Sequence, residues 1–285
     1  MLASPRIVTI ACTVGALIGF SANSLLTRAA VGPHLIDAVT FTSVRLLSGA
    51  LALAALLRLT APNRRAETPA RSPRWAGAAA LAGYAYAFAF AYTRIDAGTG
   101  ALILFGAVQL TMTGWGIVRG ERPRPAEWLG LLAAAAGLVT LTRPGQHAPD
   151  PAGAGLMAAA GTCWGIYSLL GRDAQAPVSR TFTNFALAAV AGLAALLLPL
   201  ALQITTCGAI LAAISGAAAS GLGYTLWYRA LPSLSRFRAA LVQLSVPLVT
   251  AVAAWLVLDE PVTARLLVSG TLILGGILLA ITANR

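Results

Sequence analysis

Ten apolar segments, most of them close to the length of a membrane-spanning helix, follow one another along the chain with short gaps. They lie at residues 7–27, 37–58, 75–93, 97–118, 126–142, 152–171, 181–202, 208–229, 237–258 and 263–283. A helix needs about 20 apolar residues to cross the hydrocarbon core of a bilayer. Only 10% of the 285 residues are charged and the mean hydropathy is +0.78, whereas a soluble domain has roughly 25% charged residues. The sequence therefore predicts an all-α integral membrane protein with ten transmembrane helices.

The placement of arginine predicts how these helices are oriented. All 20 basic residues are Arg, and they give a net charge of +11. Fifteen lie at the termini or in the gaps after even-numbered segments, four lie on the opposite side, and Arg45 lies within the second segment. Loops rich in Arg stay on the cytoplasmic side, so both termini are predicted to be cytoplasmic. The same rule accounts for the positive charge without nucleic acid as a partner.

The chain also contains an imperfect internal repeat. Residues 98–141 and 237–281 each contain an apolar helix, an acidic turn and a second apolar helix with glycines, and Glu121 occupies the place of Glu260. Other pairs recur in the same order: Gly15-x-x-x-Gly19 with Gly161-x-x-x-Gly165, and Gly83-Tyr84 with Gly223-Tyr224. Five helices is an odd number, so residues 1–146 and 147–285 are predicted to form two five-helix repeats of inverted orientation.

Two structural predictions follow from the repeat. Glu121 and Glu260 should begin the fifth and tenth helices on opposite sides of the membrane, where a carboxylate complements a helix N-terminus. The Gly-x-x-x-Gly pairs should be sites of close helix contact rather than ligand sites. Their matched positions indicate that the first and sixth helices pack similarly, each against its own half.

Together these features resemble the EamA-type transporters of the drug/metabolite transporter superfamily. Arg45 in VRLLSG is similar to an Arg common in the second helix of that family, and Trp164-Gly165 is similar to its Trp-Gly motif in helix six. Pro247 matches a family proline, whereas Val108 stands where the fourth helix usually has one. The aromatic-rich third, sixth and eighth helices resemble those of YddG-like exporters of aromatic amino acids. The resemblance implies a multi-pass bacterial inner-membrane exporter that works by alternating access.

Aromatic and neutral polar residues inside the segments are the candidates for substrate binding. Tyr and Trp give a pocket both an apolar wall and polar tips, while Asn and Gln could bind the charged groups of a zwitterion. The predicted cavity residues are Asn23, Tyr84, Phe88, Trp164, Tyr224, Trp227, Tyr228 and Gln243. The alternatives are an aromatic belt at the membrane interface and ordinary hydrogen bonds between helices. Trp75, Trp128 and Trp255 are predicted to belong to the belt.

Arg45 needs a separate explanation, because a charge near the centre of a membrane helix costs about 3 kcal/mol or more. It could bind a substrate carboxylate. It could instead donate to backbone carbonyls at helix ends or extend toward the interface. The structural role is the one predicted, since second helices in the resembled family are thought to flank the transport path.

The acids and both His residues (His34 and His147) lie in loops or at segment ends. Proton-coupled transporters usually keep a titratable residue within the membrane, so uncoupled transport of a neutral or zwitterionic solute is predicted. Its partners are the small-molecule substrate and the bilayer, the protein acts as a monomer, and no cofactor, metal or catalytic residue is predicted. The alternatives are export of another metabolite or drug-like compound, or an integral-membrane enzyme, for which no HExxH, GxSxG or acid cluster is present.

Overall fold

The computed structural model describes residues 5–60, 74–120, 124–145, 147–171, 177–197, 202–230, 233–234 and 242–282. Within these residues it contains ten main helices and no β-strand, which confirms the all-α fold class. The helices are α1 (Pro5–Val31), α2 (Ala38–Thr60), α3 (Arg74–Tyr92), α4 (Ala97–Val118), α5 (Pro125–Thr142), α6 (Pro151–Gly171), α7 (Pro177–Ala195), α8 (206–230), α9 (Ser245–Leu258) and α10 (Ala264–Thr282). Helix α8 is continuous but changes its winding, with α-helical Thr206–Ile214, π-helical Ser215–Leu222 and α-helical Gly223–Ala230.

Seven of these helices are long and apolar enough to cross a membrane, namely α1, α2 and α4 to α8. Helices α9 and α10 are apolar over shorter stretches. Helix α3 has 19 residues but is not among the seven. Its mean hydropathy is lower because Ala, Gly and Tyr take the place of many larger aliphatic side chains. The chain is thus a multi-pass membrane protein, and the crossing of all ten helices stays a prediction.

Two predicted segments differ from the observed helices. The segment 181–202 is shifted, because α7 starts at Pro177, where the missing backbone N–H of proline is not needed. Residues 202–205 lie outside the helix, and Ile204 forms an isolated bridge with Ile36. In the segment 237–258 the helix begins at Ser245, and residues 235–241 fall outside the described part of the chain.

Polar links join the loops at one end of the helix bundle. The backbone N–H of Asp37 donates to the carbonyl of Gln203 at 2.9 Å, and Gln203 donates back to the Asp37 carboxylate at 2.9 Å. Arg94 lies 3.6 Å from Asp150, and Arg265 donates to the carbonyl of Arg143. Each of these links joins a residue before position 147 to one after it, so this end of the molecule is tied together across the two predicted repeats.

The helices of the two predicted repeats also interleave in the interior. A Cβ on Gly19 would lie 3.1 Å from the carbonyl oxygen of Ala219, so α1 packs closely on α8. A Cβ on Gly161 would lie 2.7 Å from the Cβ of Ala107, so α6 packs closely on α4. The Gly-x-x-x-Gly pairs therefore mark close contacts, but the prediction that each helix packs within its own half was wrong. Glycine spacing permits close approach without specifying the partner.

Helices α5 and α10 cross through glycines from both predicted repeats. A Cβ on Gly276 would meet the carbonyl of Gly130 and lie 2.7 Å from the backbone nitrogen of Ala134. A Cβ on Gly137 would lie 2.7 Å from Ile273. Because the earlier residue of α5 meets the later residue of α10, the two helices run antiparallel. This is the crossing that an inverted pair of repeats would produce.

Candidate functional site

A row of aromatic rings from four helices lies in the interior of the bundle. Tyr84 and Phe88, one helical turn apart on α3, have ring centroids 5.2 Å apart. Trp164 of α6 lies 4.8 Å from Tyr84 and 5.2 Å from Tyr224 of α8. Phe185 of α7 contacts Tyr224 from another side at 5.9 Å. Trp164 thus bridges α3 and α8, and we call these five residues the aromatic cluster.

A chain of polar side chains runs along the same cluster. The hydroxyl of Ser215 donates to the Asn23 Oδ1 at 2.7 Å, and the Asn23 Nδ2 donates to the Tyr84 hydroxyl at 3.2 Å. The Arg45 Nη2 donates to the same Tyr84 oxygen at 3.3 Å, and its Nε donates to the Ser220 hydroxyl at 3.3 Å. All five side chains are buried. The Tyr84 hydroxyl thus joins α3 to α1 and α2, and the two serines extend the polar chain to α8.

The π-helical part of α8 supplies both serines of the polar chain. A π-helical turn is wider than an α-helical one and occurs often at functional sites. Gly216 within it lies against α2, where a Cβ would collide with the carbonyl of Arg45 and the hydroxyl of Ser48. The absent side chain lets α8 approach α2 closely enough for Ser220 to contact Arg45.

Arg45 has partners other than those predicted for it. Its residue is 1% exposed, so it does not extend to an interface, and its recorded hydrogen bonds go to the side chains of Tyr84 and Ser220. The carbon of its guanidinium lies 5.3 Å from the Tyr84 ring centre and 5.4 Å from that of Phe88. Arg45 has these partners because it lies eight residues into α2, on a face covered by both α3 and α8.

The structure brings together most, but not all, of the predicted cavity residues. Asn23, Tyr84, Phe88, Trp164 and Tyr224 meet in one place. The remaining three are placed differently. Trp227 is buried but packs with Ala16 and Phe20 in a smaller neighbouring group, Gln243 is half-buried just before α9, and the side chain of Tyr228 is outside the described part of the structure.

Sequence reasoning missed three members of this site. Ser215 and Ser220 are ordinary residues in a helix rich in Ala and Gly, and the π-helical winding that orients them left no recognised signal. Phe185 follows Asn184 in α7 without any motif to distinguish it. Trp75, Trp128 and Trp255 are 72%, 44% and 55% exposed, and their place in an aromatic belt stays a prediction.

An ionic cluster lies at the end of α1, beyond the aromatic residues of α3. The Arg28 guanidinium lies 3.0 Å from the Glu260 carboxylate and 3.3 Å from that of Asp96, and it donates to the carbonyl of Tyr92 at 2.9 Å. Glu260 also accepts the backbone N–H of Ala97 at 2.7 Å. The cluster therefore joins the loop before α10 to α1 and to the start of α4.

The predicted role of Glu260 at its own helix was wrong. Helix α10 begins at Ala264, and the Glu260 carboxylate instead binds the first backbone N–H of α4. A turn of left-handed backbone at Asp259 (φ 53°) ends α9 and turns the next residue toward Arg28. Glu121, its predicted counterpart, lies outside the described residues.

Glu260→Gln is expected to flatten the dependence of thermal stability on pH. Burial and the nearby Asp96 carboxylate raise the pKa of Glu260 despite the opposing effects of Arg28 and the Ala97 N–H. A raised folded-state pKa adds stability that is complete at acid pH and is lost as pH rises through that pKa. As pH rises through the pKa of Glu260, the melting temperature of the wild type should therefore fall. The uncharged variant should show a smaller fall over the same pH range.

Melting curves between about pH 4 and pH 8 measure this effect, because exposed Glu titrates near the lower limit. Glu127→Gln, which removes a carboxylate in the first turn of α5, is the control and should keep the fall with rising pH that is assigned to Glu260. A Glu260→Gln protein whose slope equals that of the wild type would refute the assignment.

Comparisons with known proteins agree with the helical fold. The profile of the EamA-like transporter family matches residues 151–282. An uncharacterized protein of Pseudomonas aeruginosa is 50% identical over 273 residues, covering 95% of this chain and 93% of that protein. One solved crystal structure is similar over 97% of this chain and 98% of its own, with a TM-score of 0.66 and 19% identity. At that identity the likeness concerns the fold alone.

Proposed function

We propose that this chain, which belongs to the EamA-like transporter family of the drug/metabolite transporter type, exports small neutral or zwitterionic metabolites across a bacterial inner membrane. Aromatic amino acids are the proposed substrates. The observation that carries the proposal is the meeting of the aromatic cluster with the polar chain around Tyr84. Membership of a transporter family points away from an integral-membrane enzyme, the alternative of a different class.

The chemistry of the site suits an aromatic zwitterion. Ring pairs contribute about 0.5–1.5 kcal/mol each beyond the burial of apolar area, so a substrate ring packed against Trp164 or Tyr84 would bind favourably. The amide of Asn23 and the hydroxyls of Ser215 and Tyr84 offer both donors and acceptors to its charged groups. A pocket needs this combination of apolar walls and few placed polar groups.

The ionic cluster of Arg28, Asp96 and Glu260 closes one end of the site in this proposal. Tyr92, whose carbonyl binds Arg28, contacts Phe88 of the aromatic cluster at 4.7 Å. Access from that end requires the Arg28–Glu260 pair to separate. Because α1 packs mainly on α8 and α9 while α6 packs on α3 and α4, the groups that move in alternating access would mix the two predicted repeats.

The proposed transport is uncoupled, and the protein acts as a monomer. Every acid that the structure describes lies in a loop or at a helix end: Asp37, Asp96, Glu127, Asp150, Asp259 and Glu260. None of these positions lies beside the aromatic cluster. A proton carrier that alternates with substrate at the site is therefore not part of the proposal.

A strain that expresses the protein tests the substrate class with toxic compounds. We expect increased resistance to aromatic amino acid analogues such as fluorophenylalanine, and none to drug-like amines. Trp164→Ala should abolish that resistance, because it removes the ring that bridges Tyr84 and Tyr224. Trp115→Ala, at a 47% exposed position on α4, is the matched control and should keep it. Resistance confined to amines would favour the second candidate, a drug-like substrate in the same fold.

A further inference from the structure

Arg45 is a buried cation without a described carboxylate partner. Its residue is 1% exposed, and the recorded ion pairs of the described residues join Arg28 to Asp96 and Glu260 and Arg94 to Asp150. A buried charge that lacks a counter-ion has a large desolvation penalty. An ionisable residue inside a membrane protein is therefore a candidate for a functional role.

The guanidinium of Arg45 has one nitrogen left for a ligand. Nε and Nη2 donate to Ser220 and Tyr84, whereas the buried Nη1 has no hydrogen-bond partner among the described atoms. The faces of the Tyr84 and Phe88 rings lie near the cation and compensate part of its desolvation. Neither ring nor hydroxyl neutralises the charge.

The chemical match for this arrangement is a carboxylate. A carboxylate accepts from the planar donors of a guanidinium and supplies the missing negative charge. Arg45 also borders the aromatic cluster through its contacts with Tyr84 and Phe88. A ligand with its carboxylate on Arg45 would therefore place an aromatic group near Trp164, 4.8 Å from Tyr84.

The charge of the site is one-sided in the described structure. Arg45 provides a fixed positive charge, while the other members of the polar chain, Asn23, Ser215, Ser220 and Tyr84, are neutral. A substrate ammonium can bind to the neutral oxygens, but it meets no fixed negative charge there. A carboxylate therefore gains more from this site than an amine does.

We propose that the Arg45 Nη1 is the carboxylate-binding position of the substrate site and restricts substrates to aromatic carboxylates, including aromatic amino acids. This inference rests on the proposed function, because it names the substrate class of the same site. It assigns Arg45 a specificity role in addition to its hydrogen bonds with α3 and α8. Amines that lack a carboxylate are poor ligands.

Calorimetric binding to the purified full-length protein tests this with three probes. L-phenylalanine has both charged groups, 3-phenylpropionate has only the carboxylate, and L-phenylalanine amide has only the amine. We expect the two carboxylates to bind at least tenfold more tightly than the amide. Arg45→Gln should weaken both carboxylates at least tenfold and leave the amide nearly unchanged, whereas a purely structural role would weaken all three alike. Arg58→Gln, at an exposed position on the same helix, should have no effect.

The outcomes separate this inference from the proposed function. If the amide binds the wild type as tightly as phenylalanine does, the carboxylate inference is overturned while transport of aromatic compounds stands. If none of the three probes binds, the aromatic substrate class fails and the inference fails with it. Should Arg45→Gln not fold, the ratio between carboxylate and amide in the wild type decides the question alone.

Discussion

Gly276→Ala is expected to lower the free energy of unfolding by about 1–3 kcal/mol, the usual cost of forcing extra volume into a packed contact. The new Cβ would meet the carbonyl oxygen of Gly130 and lie 2.7 Å from the backbone nitrogen of Ala134. Both neighbours are backbone atoms of α5, so they cannot move aside as a flexible side chain would. Helices α5 and α10 would have to separate at this contact.

The adjacent Gly275 provides the matched control for this prediction. A Cβ on Gly275 would have no neighbour within 4 Å, so Gly275→Ala makes the same chemical change in open space. Both variants share the gain of about 0.5–1 kcal/mol that alanine has over glycine inside a helix. Melting temperatures in detergent should therefore place Gly276→Ala well below Gly275→Ala. Equal values would show that the close crossing of α5 and α10 is absent.

Tyr84→Phe is expected to reduce transport of aromatic amino acids at least tenfold. The lost hydroxyl accepts hydrogen bonds from Asn23 at 3.2 Å and from Arg45 at 3.3 Å. A buried donor left without its acceptor costs about 1–3 kcal/mol, and more when it is charged. Asn23 and Arg45 would also lose the acceptor that orients them toward substrate, and a loss of about 1.4 kcal/mol in substrate binding corresponds to a tenfold change. The ring itself stays, so its contact with Trp164 is retained.

Tyr86→Phe is the control because it removes the same atom two residues away on α3. The Tyr86 hydroxyl lies 3.3 Å from that of Ser43, away from the polar chain. Its loss should change transport less than twofold, a difference of about 0.4 kcal/mol. Initial rates in proteoliposomes with equal protein content measure both variants. If Tyr84→Phe transports as fast as Tyr86→Phe, the polar chain has no part in substrate handling.

The helical fold could be predicted from the sequence because the bilayer requires long apolar segments. The same reasoning placed Tyr84, Phe88, Trp164 and Tyr224 on interior faces, since aromatic residues one turn apart share a face. It could not identify Ser215, which depends on the π-helical winding of α8 for its contact with Asn23. Residues this common in helices give no signal until their neighbours are known.

Local rules failed where a residue's partner came from a distant part of the chain. Glu260 obeys the rule that carboxylates favour helix N-termini, but the helix is α4 rather than the one that follows it in sequence. The spacing of Gly15 and Gly19 predicted a close contact without naming α8 as the neighbour. In both cases the interleaved packing of the helices decided the partner, and that packing depends on residues more than 160 positions apart.

Counterflow of L-phenylalanine in proteoliposomes tests most directly whether the aromatic cluster belongs to an aromatic amino acid transporter. Vesicles that contain the wild-type protein and are loaded with unlabelled phenylalanine should transiently accumulate labelled phenylalanine from outside, without a pH gradient. Vesicles without protein should not. Accumulation no greater than in protein-free vesicles, for phenylalanine, tyrosine and tryptophan alike, would contradict the proposed function.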